Sequence, residues 1–141
     1  MRTMTRDEAV AFLAAGTRTG KLATAGADGN PHVAPIWFLV DGDDLVFTTA
    51  QTSLKGRHLR ANPRASLAVD DDTFPFSFVV VRGPVTIDDE PADRATWTTR
   101  LAARYVPAGL APEYGERNDA PGESLVRLRM TKVIGQAEIA I

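Results

Sequence analysis

Short apolar segments bounded by turn residues recur along this chain, a pattern typical of β-strands, and in the segment 124–130 apolar and polar residues alternate with period two. Asp-Gly pairs, which are strong turn signals, separate the first three segments, so we predict that these form an antiparallel meander. The longest segment contains Gly83-Pro84, which predicts a bulge or bend because proline donates no ladder hydrogen bond. About six strands are predicted, at 21–24, 32–40, 45–49, 65–69, 76–87 and 124–130, the last continuing over 133–141.

Helical periodicity appears before the first of these strands and between the strands at 76–87 and 124–130. The first helix is predicted over 5–15, where Thr5 and Glu8 have the spacing of a capping box. Another is predicted over 92–106, where aromatic and aliphatic residues recur every four positions. The segment 107–122 is rich in proline and glycine and is predicted to be a loop.

The composition is that of one globular domain, with 141 residues, 44% hydrophobic and 24% charged. We therefore predict a single, mainly β domain over 1–141, a small barrel with helical insertions. The absence of cysteine excludes disulfides, thiolate zinc sites and thiol nucleophiles. A net charge of -2 argues against a nucleic-acid partner, and the longest strongly apolar run, 78–81, is too short to span a membrane. A cytoplasmic protein with a small anionic ligand is expected.

The segment 52–64 concentrates four lysine and arginine residues and no acidic residue in a chain that is slightly acidic overall. A hydroxyl at Thr52 or Ser53 can cap a helix that ends before Pro63, which gives about two helical turns. The free amides at the start of such a helix, together with Lys55, can hold a phosphate. The alternative is a solvated basic helix in a surface connection.

Three motifs follow one another along the first half of the chain. They are Leu-Ala-Thr at 22–24, Asp-Gly-Asn-Pro-His-Val-Ala-Pro-Ile-Trp-Phe at 28–38, and Leu-Lys-Gly-Arg-His-Leu-Arg-Ala-Asn-Pro-Arg-Ala-Ser-Leu at 54–67. Together they resemble the split β-barrel flavin and deazaflavin oxidoreductases of the pyridoxamine-phosphate-oxidase-like superfamily. Within it, the chain is most similar to the actinobacterial branch that uses coenzyme F-420, an 8-hydroxy-5-deazaflavin. The resemblance implies an FMN-binding type of split barrel with about six antiparallel strands.

The resemblance also implies a set of cofactor-binding residues. In that family the lysine and arginine of a Lys-x-Arg pattern hold the cofactor phosphate, and the matching residues here are Lys55 and Arg57. The lysine provides a charge on a flexible side chain, and the planar guanidinium of the arginine can bind two phosphate oxygens at once. Ser53 either donates its hydroxyl to the ligand or only caps the helix. Trp37 also fits a core or dimer-interface position. The ring of the cofactor is expected to lie on the second and third strands, against Pro35, Ile36, Trp37, Thr48 and Thr49.

The function implied by the resemblance is hydride transfer between F-420 and a small organic substrate, in a homodimer with cofactor sites at the interface. FMN is the alternative cofactor, in an oxidase or reductase of the same fold. A non-catalytic protein that binds F-420 or a tetrapyrrole is the alternative function. No side chain is assigned as a catalytic residue, because the cofactor carries the hydride chemistry.

The remaining polar and aromatic candidates have simpler interpretations. His32 can in principle donate a proton, but neither it nor His58 has an orienting partner in the sequence, so structural roles are favoured. The three aspartates at 70–72 can be imagined as a cation site, but aspartates in a strand-ending turn are usually solvated, and no metal site is predicted. Core packing, with an interface as the alternative, is expected for the three alternating phenylalanines, Phe74, Phe76 and Phe78.

Overall fold

The structure, a computed structural model, describes residues 1–141 and contains nine strands, four α-helices and one short 3₁₀ helix. The strands are β1 (Arg2–Thr3), β2 (Gly20–Ala25), β3 (Pro31–Ile36), β4 (Leu39–Asp41), β5 (Asp44–Ala50), β6 (Arg64–Asp71), β7 (Ser77–Asp88), β8 (Glu123–Arg129) and β9 (Lys132–Ala137). The helices are α1 (Arg6–Ala14), α2 (Leu54–Ala61), α3 (Arg94–Tyr105), the 3₁₀ helix (Ala108–Leu110) and α4 (Ala111–Asn118). No helix is long and apolar enough to cross a membrane.

The strands form one curled antiparallel sheet in the order β3-β2-β6-β7-β8-β5-β4, with β9 pairing with both β7 and β1. The long strand β7 joins the two halves of this sheet, because it pairs with β9 over Phe78–Arg82 and with β8 over Val85–Asp88. The change of partner falls at Gly83-Pro84, where the sequence predicts an interruption. The predicted mainly β split barrel with helical insertions is confirmed.

The core contains seventeen buried apolar residues from both halves of the sheet and from two helices. The helices α1 and α2 each contribute a fully buried leucine, Leu13 and Leu59. Burial of one such side chain stabilises the fold by about 1.5 to 3 kcal/mol. Both helices are thus fixed against the barrel by core contacts.

The predicted capping box of α1 is confirmed. The Thr5 hydroxyl accepts from the Glu8 amide at 3.2 Å, and the Glu8 carboxylate accepts from the Thr5 amide at 3.3 Å.

The prediction of one strand over 32–40 is wrong, and with it the prediction of a three-strand meander. The strand β3 ends at Ile36 and β4 begins at Leu39, and these two strands lie at opposite ends of the sheet order. Between them Phe38 turns into the core and is fully buried. Its carbonyl accepts from the Arg104 guanidinium at 2.7 Å instead of joining a strand ladder. The chain therefore crosses from one half of the barrel to the other at Trp37 and Phe38.

The prediction of a loop over 107–122 is also wrong, because this segment contains the 3₁₀ helix and α4. Pro112 lies in the first turn of α4, where a missing amide costs no helical hydrogen bond. Gly115 lies where α4 crosses α3 so closely that an added Cβ would be 2.2 Å from the Thr99 hydroxyl. The carbonyl of Gly115 accepts a 2.7 Å hydrogen bond from Thr98. Here proline starts a helix and glycine permits close packing.

Two further expectations fail at the ends of strands. Core packing is wrong for Phe74 and Phe76, which lie between β6 and β7 and are 68% and 40% exposed, while Phe78 is half-buried. The predicted strand over 133–141 is too long, since β9 ends at Ala137.

Candidate functional site

A cleft of about 360 Å³ opens between the start of α2, the strands β3 and β5, and the helix pair formed by α3 and α4. One part of its wall is apolar, and the other carries hydroxyl, amide and charged groups. Only two of the lining residues, Lys55 and Glu123, carry a formal charge. The lining residues are Pro35, Ile36, Trp37, Thr48, Thr49, Ala50, Ser53, Lys55, Thr98, Leu101, Asn118 and Glu123.

Seven of the eight site residues implied by the sequence lie in this one cleft. They are Pro35, Ile36, Trp37, Thr48, Thr49, Ser53 and Lys55. The eighth, Arg57, is exposed and does not line the cleft. Residues two apart on an α-helix point in nearly opposite directions, so Lys55 and Arg57 lie on different faces of α2.

The start of α2 is held against the end of β5 by the Ser53 side chain. The Ser53 hydroxyl accepts from the Gly56 amide at 3.0 Å, lies 2.8 Å from the Ala50 carbonyl and contacts the Thr49 hydroxyl at 2.9 Å. The interpretation of Ser53 as a helix cap is therefore confirmed. The first two amides of the helix, those of Leu54 and Lys55, have no carbonyl one turn back within the helix to which they can donate. These amides and the Lys55 ammonium group form a positive end beside the cleft.

Gly56 allows α2 to approach the sheet this closely. A Cβ at this position would be 2.4 Å from the Ala50 carbonyl oxygen and 3.0 Å from the Ser53 hydroxyl. These neighbours are a strand backbone and a capping group, neither of which can move without disturbing the start of the helix. The glycine in the Lys-Gly-Arg motif is thus required by packing.

The apolar part of the cleft is built around Trp37, which is half-buried and outside the main core. Its ring stacks on that of Tyr105, with centroids 5.3 Å apart and planes 9° from parallel. The Tyr105 hydroxyl accepts from the Phe38 amide at 3.3 Å and donates to the Arg18 carbonyl at 3.1 Å. Burial raises the pKa of Tyr105, an effect opposed by its backbone bond to Phe38 and by the nearby Arg104 charge. The phenol therefore stays neutral and holds the crossing segment in place.

Sequence reasoning missed five residues of the cleft, and Glu123 is chemically the most informative. Burial raises the pKa of the Glu123 carboxyl, and the charges of Lys55 and Arg94 oppose this effect. Arg94 itself is paired with Asp119 at 2.7 Å and donates to the Glu123 carbonyl at 3.3 Å. Glu123 directly precedes the alternating segment 124–130, but its place opposite Ala50 depends on strand pairing that no local pattern reveals. The other four missed residues are Ala50, Thr98, Leu101 and Asn118.

The two histidines and the aspartate cluster lie outside the cleft. His58 makes a 3.1 Å hydrogen bond between Nδ1 and the Thr24 hydroxyl, and His32 packs edge-on against it with ring centroids 6.0 Å apart. Asp71 accepts from the Thr73 amide at 3.0 Å, which is a local turn contact. No group of three or more potential metal ligands is present in the structure. The structural interpretation of the histidines fits these contacts.

Comparison with known proteins places this chain in a family. The model of the pyridoxamine 5'-phosphate oxidase family matches residues 5–137. The chain belongs to this family. Solved structures of the same split-barrel superfamily include one described as an F-420 reductase, which is 30% identical with a TM-score of 0.68, over 84% of this chain and 90% of that one.

Two other solved structures cover nearly all of this chain. A conserved hypothetical protein from Mycobacterium tuberculosis is 25% identical with a TM-score of 0.79, over 98% of this chain and 89% of that one. An FAD-binding protein from Mesorhizobium loti is 22% identical with a TM-score of 0.71, over 95% of each chain, which shows a common fold. Solved structures with this fold thus include one described as an FAD-binding protein and one described as an F-420 reductase.

Proposed function

We propose that this protein binds coenzyme F-420 in the cleft and transfers a hydride between the cofactor and a small organic substrate. The observation that carries the proposal is the convergence of Lys55, the start of α2 and the Pro35–Trp37 segment on one cleft. The similarity to a protein described as an F-420 reductase supports the choice of cofactor.

The cleft suits a ligand with a flat apolar ring and an anionic tail. Ile36, Trp37 and Leu101 provide apolar surface for a ring. Pro35 lies on β3, an edge strand of the sheet, and has no backbone amide to donate to a further strand. At the other end, Lys55 and the free amides of α2 provide charge and hydrogen-bond donors for a phosphate. The residues present therefore fit the cofactor.

When bound, reduced F-420 supplies the hydride, and the protein contributes binding, orientation and a partly dry environment. Trp37 is held by its stack on Tyr105 and can fix the position of the ring. Ser53 keeps the start of α2 in register with β5. No side chain in the cleft has to form a covalent bond for this chemistry. Glu123 is the one acidic group of the cleft.

A homodimer with cofactor sites near the interface is part of the proposal. The cleft is open to solvent, and β3 beside it carries Val33, which is 64% exposed. A second copy can cover this apolar surface and shield a bound ring. Sedimentation equilibrium at several protein concentrations tests the dimer, and a monomer at all concentrations contradicts it.

The phosphate role of Lys55 is tested by Lys55→Ala. Loss of a charged hydrogen bond is expected to weaken F-420 binding by about 1.5 to 3 kcal/mol, as measured by calorimetric titration. Lys132→Ala removes the same charge from an exposed position on β9 outside the cleft and serves as the control. Equal affinities of the wild type and Lys55→Ala would contradict the assignment.

Turnover separates an enzyme from a binding protein. Reduced F-420 is mixed with the protein and a panel of quinones, enones and biliverdin, and its oxidation is followed by absorbance. Substrate-dependent oxidation above the rate without protein supports the proposed reaction. Tight binding of F-420 without turnover on any acceptor would favour storage of the cofactor instead.

A further inference from the structure

The formal charges of the residues that line the cleft indicate which kind of phosphate group it accepts. Lys55 and Glu123 are the only charged residues among the twelve that line it, so its formal charge is zero when both are ionised. A cleft built for a phosphate monoester, which carries about 1.5 to 2 negative charges near neutral pH, would be expected to present an excess of positive charge.

Neighbouring charges do not change this balance. Arg94, on α3 behind Glu123, is paired with Asp119 at 2.7 Å. Arg60, which contacts the Ser124 hydroxyl next to Glu123 in the chain, is paired with Asp89. Arg57 is on the opposite face of α2 from Lys55 and is exposed to solvent. Within the cleft, the positive end of α2 therefore has one internal counter-ion, Glu123.

The backbone holds Glu123 close to the phosphate-binding end. Glu123 is the first residue of β8 and lies directly across from Ala50, the last residue of β5. The next residue of the α2 connection, Gln51, donates its amide to the Gly122 carbonyl at 2.9 Å. The Ala50 carbonyl in turn accepts from the Ser53 amide at 3.1 Å, immediately before the helix. Glu123 and the start of α2 therefore belong to one hydrogen-bonded unit and cannot easily move apart.

The Glu123 carboxylate has no side-chain hydrogen bond or ion pair of its own in the structure, although its residue is only partly exposed. It is not used to cap a helix or to close a turn. A half-buried carboxylate without a structural partner is free to interact with a ligand in the cleft, and it repels a second negative charge there.

We propose that Glu123 makes the cleft selective for a phosphate with one negative charge, a diester, over a dianionic monoester. This inference rests on the proposed function, because the phosphate of F-420 is a diester and that of FMN is a monoester. In this arrangement Lys55 attracts either group, and Glu123 penalises only the additional charge of the monoester. The same carboxylate can also accept a hydrogen bond from a hydroxyl of the chain that links ring and phosphate.

The experiment uses two ligands that differ by one phosphate charge and one methyl group, FMN and its phosphate methyl ester, at about pH 8, where a phosphate monoester is dianionic. Both are titrated calorimetrically into the wild type, Glu123→Gln and Glu113→Gln. Glu113 is an exposed residue of α4 outside the cleft, so its substitution removes the same charge without changing the site. F-420 is titrated in parallel as the test of the proposed function.

We expect the wild type to bind the methyl ester on the order of tenfold more tightly than FMN, the effect of one added charge near a half-exposed carboxylate. Glu123→Gln is expected to remove most of this preference by tightening FMN binding, and Glu113→Gln is expected to retain it. A preference that is absent in the wild type, or unchanged in Glu123→Gln, overturns the inference, as does a failure of the methyl ester to bind. Loss of F-420 binding with the diester preference intact would instead refute the proposed cofactor alone.

Discussion

Arg104 provides the sharpest test of how α3 is attached to the barrel. Its guanidinium donates to the carbonyls of Phe38 at 2.7 Å, Leu13 at 2.8 Å, Gly16 at 3.0 Å and Ala15 at 3.3 Å. One side chain thus satisfies the end of α1 and the segment that crosses between the halves of the sheet. The substitution Arg104→Met keeps the aliphatic stem and removes all four donors.

The magnitude follows from these contacts. Hydrogen bonds to a charged group contribute about 1.5 to 3 kcal/mol each, so four of them would sum to at least about 6 kcal/mol if they were independent. They share one charge, and burial lowers the pKa of Arg104, which indicates that desolvation offsets part of the gain. The Gly16 and Ala15 carbonyls belong to exposed residues and can bind water in the variant. We therefore expect a loss of about 3 kcal/mol, mainly from the Phe38 and Leu13 carbonyls.

The assay is urea unfolding followed by tryptophan fluorescence, with the free energy of unfolding extrapolated to water. Arg100→Met is the control, because Arg100 lies one turn earlier on α3 and stacks on the Trp97 ring at 4.3 Å without any hydrogen bond in the structure. A cation–π contact at an exposed site contributes only about 0.5 to 1 kcal/mol. If Arg104→Met is no less stable than Arg100→Met, this account of how α3 is anchored is refuted.

Two more predictions concern α2 and the acid stability of the fold. Gly56→Ala places a methyl group 2.4 Å from the Ala50 carbonyl oxygen, so we expect α2 to shift away from β5. The expected result is a loss of stability of about 1 to 3 kcal/mol and weaker F-420 binding. A variant with the stability and the F-420 affinity of the wild type would contradict this prediction. Hydrogen bonds from Arg60 and Ser124 lower the pKa of Asp89 to about 2, below the value of about 3.9 in an unfolded chain. Ionised Asp89 therefore stabilises the fold above about pH 4, and this contribution is lost as the pH falls from about 4 to 2. Unfolding of wild type and Asp89→Asn compared across that range should show a stability difference that disappears at the acid end, and a difference independent of pH would rule this out.

The parts of the molecule that were predicted correctly depend on local signals. The Thr5 and Glu8 capping box is complete within four residues, and the hydroxyl cap and proline boundary of α2 lie within one short segment. The position of Lys55 at the start of α2 follows from the same local pattern. These features need no knowledge of what packs against them.

The parts that were missed depend on tertiary contacts. Residues 33–40 form one continuous apolar run, so the sequence gives no sign that the strand ends at Ile36. The break coincides with tertiary contacts, the burial of Phe38 and its bond to Arg104. Pro112 and Gly115 have the composition of a loop, yet the close approach of α3 allows them to form α4. Glu123 enters the cleft because β8 pairs with β5, a contact between residues more than seventy positions apart.

The central claim is that the cleft beside α2 is a site for F-420, and a side-by-side titration of the wild-type protein with F-420 and FMN tests it most directly. Calorimetry, supported by quenching of tryptophan fluorescence, gives both dissociation constants and the number of sites. We predict saturable binding of one F-420 per chain, with an affinity higher than that for FMN. No saturable binding of F-420, or tighter binding of FMN, would contradict the claim.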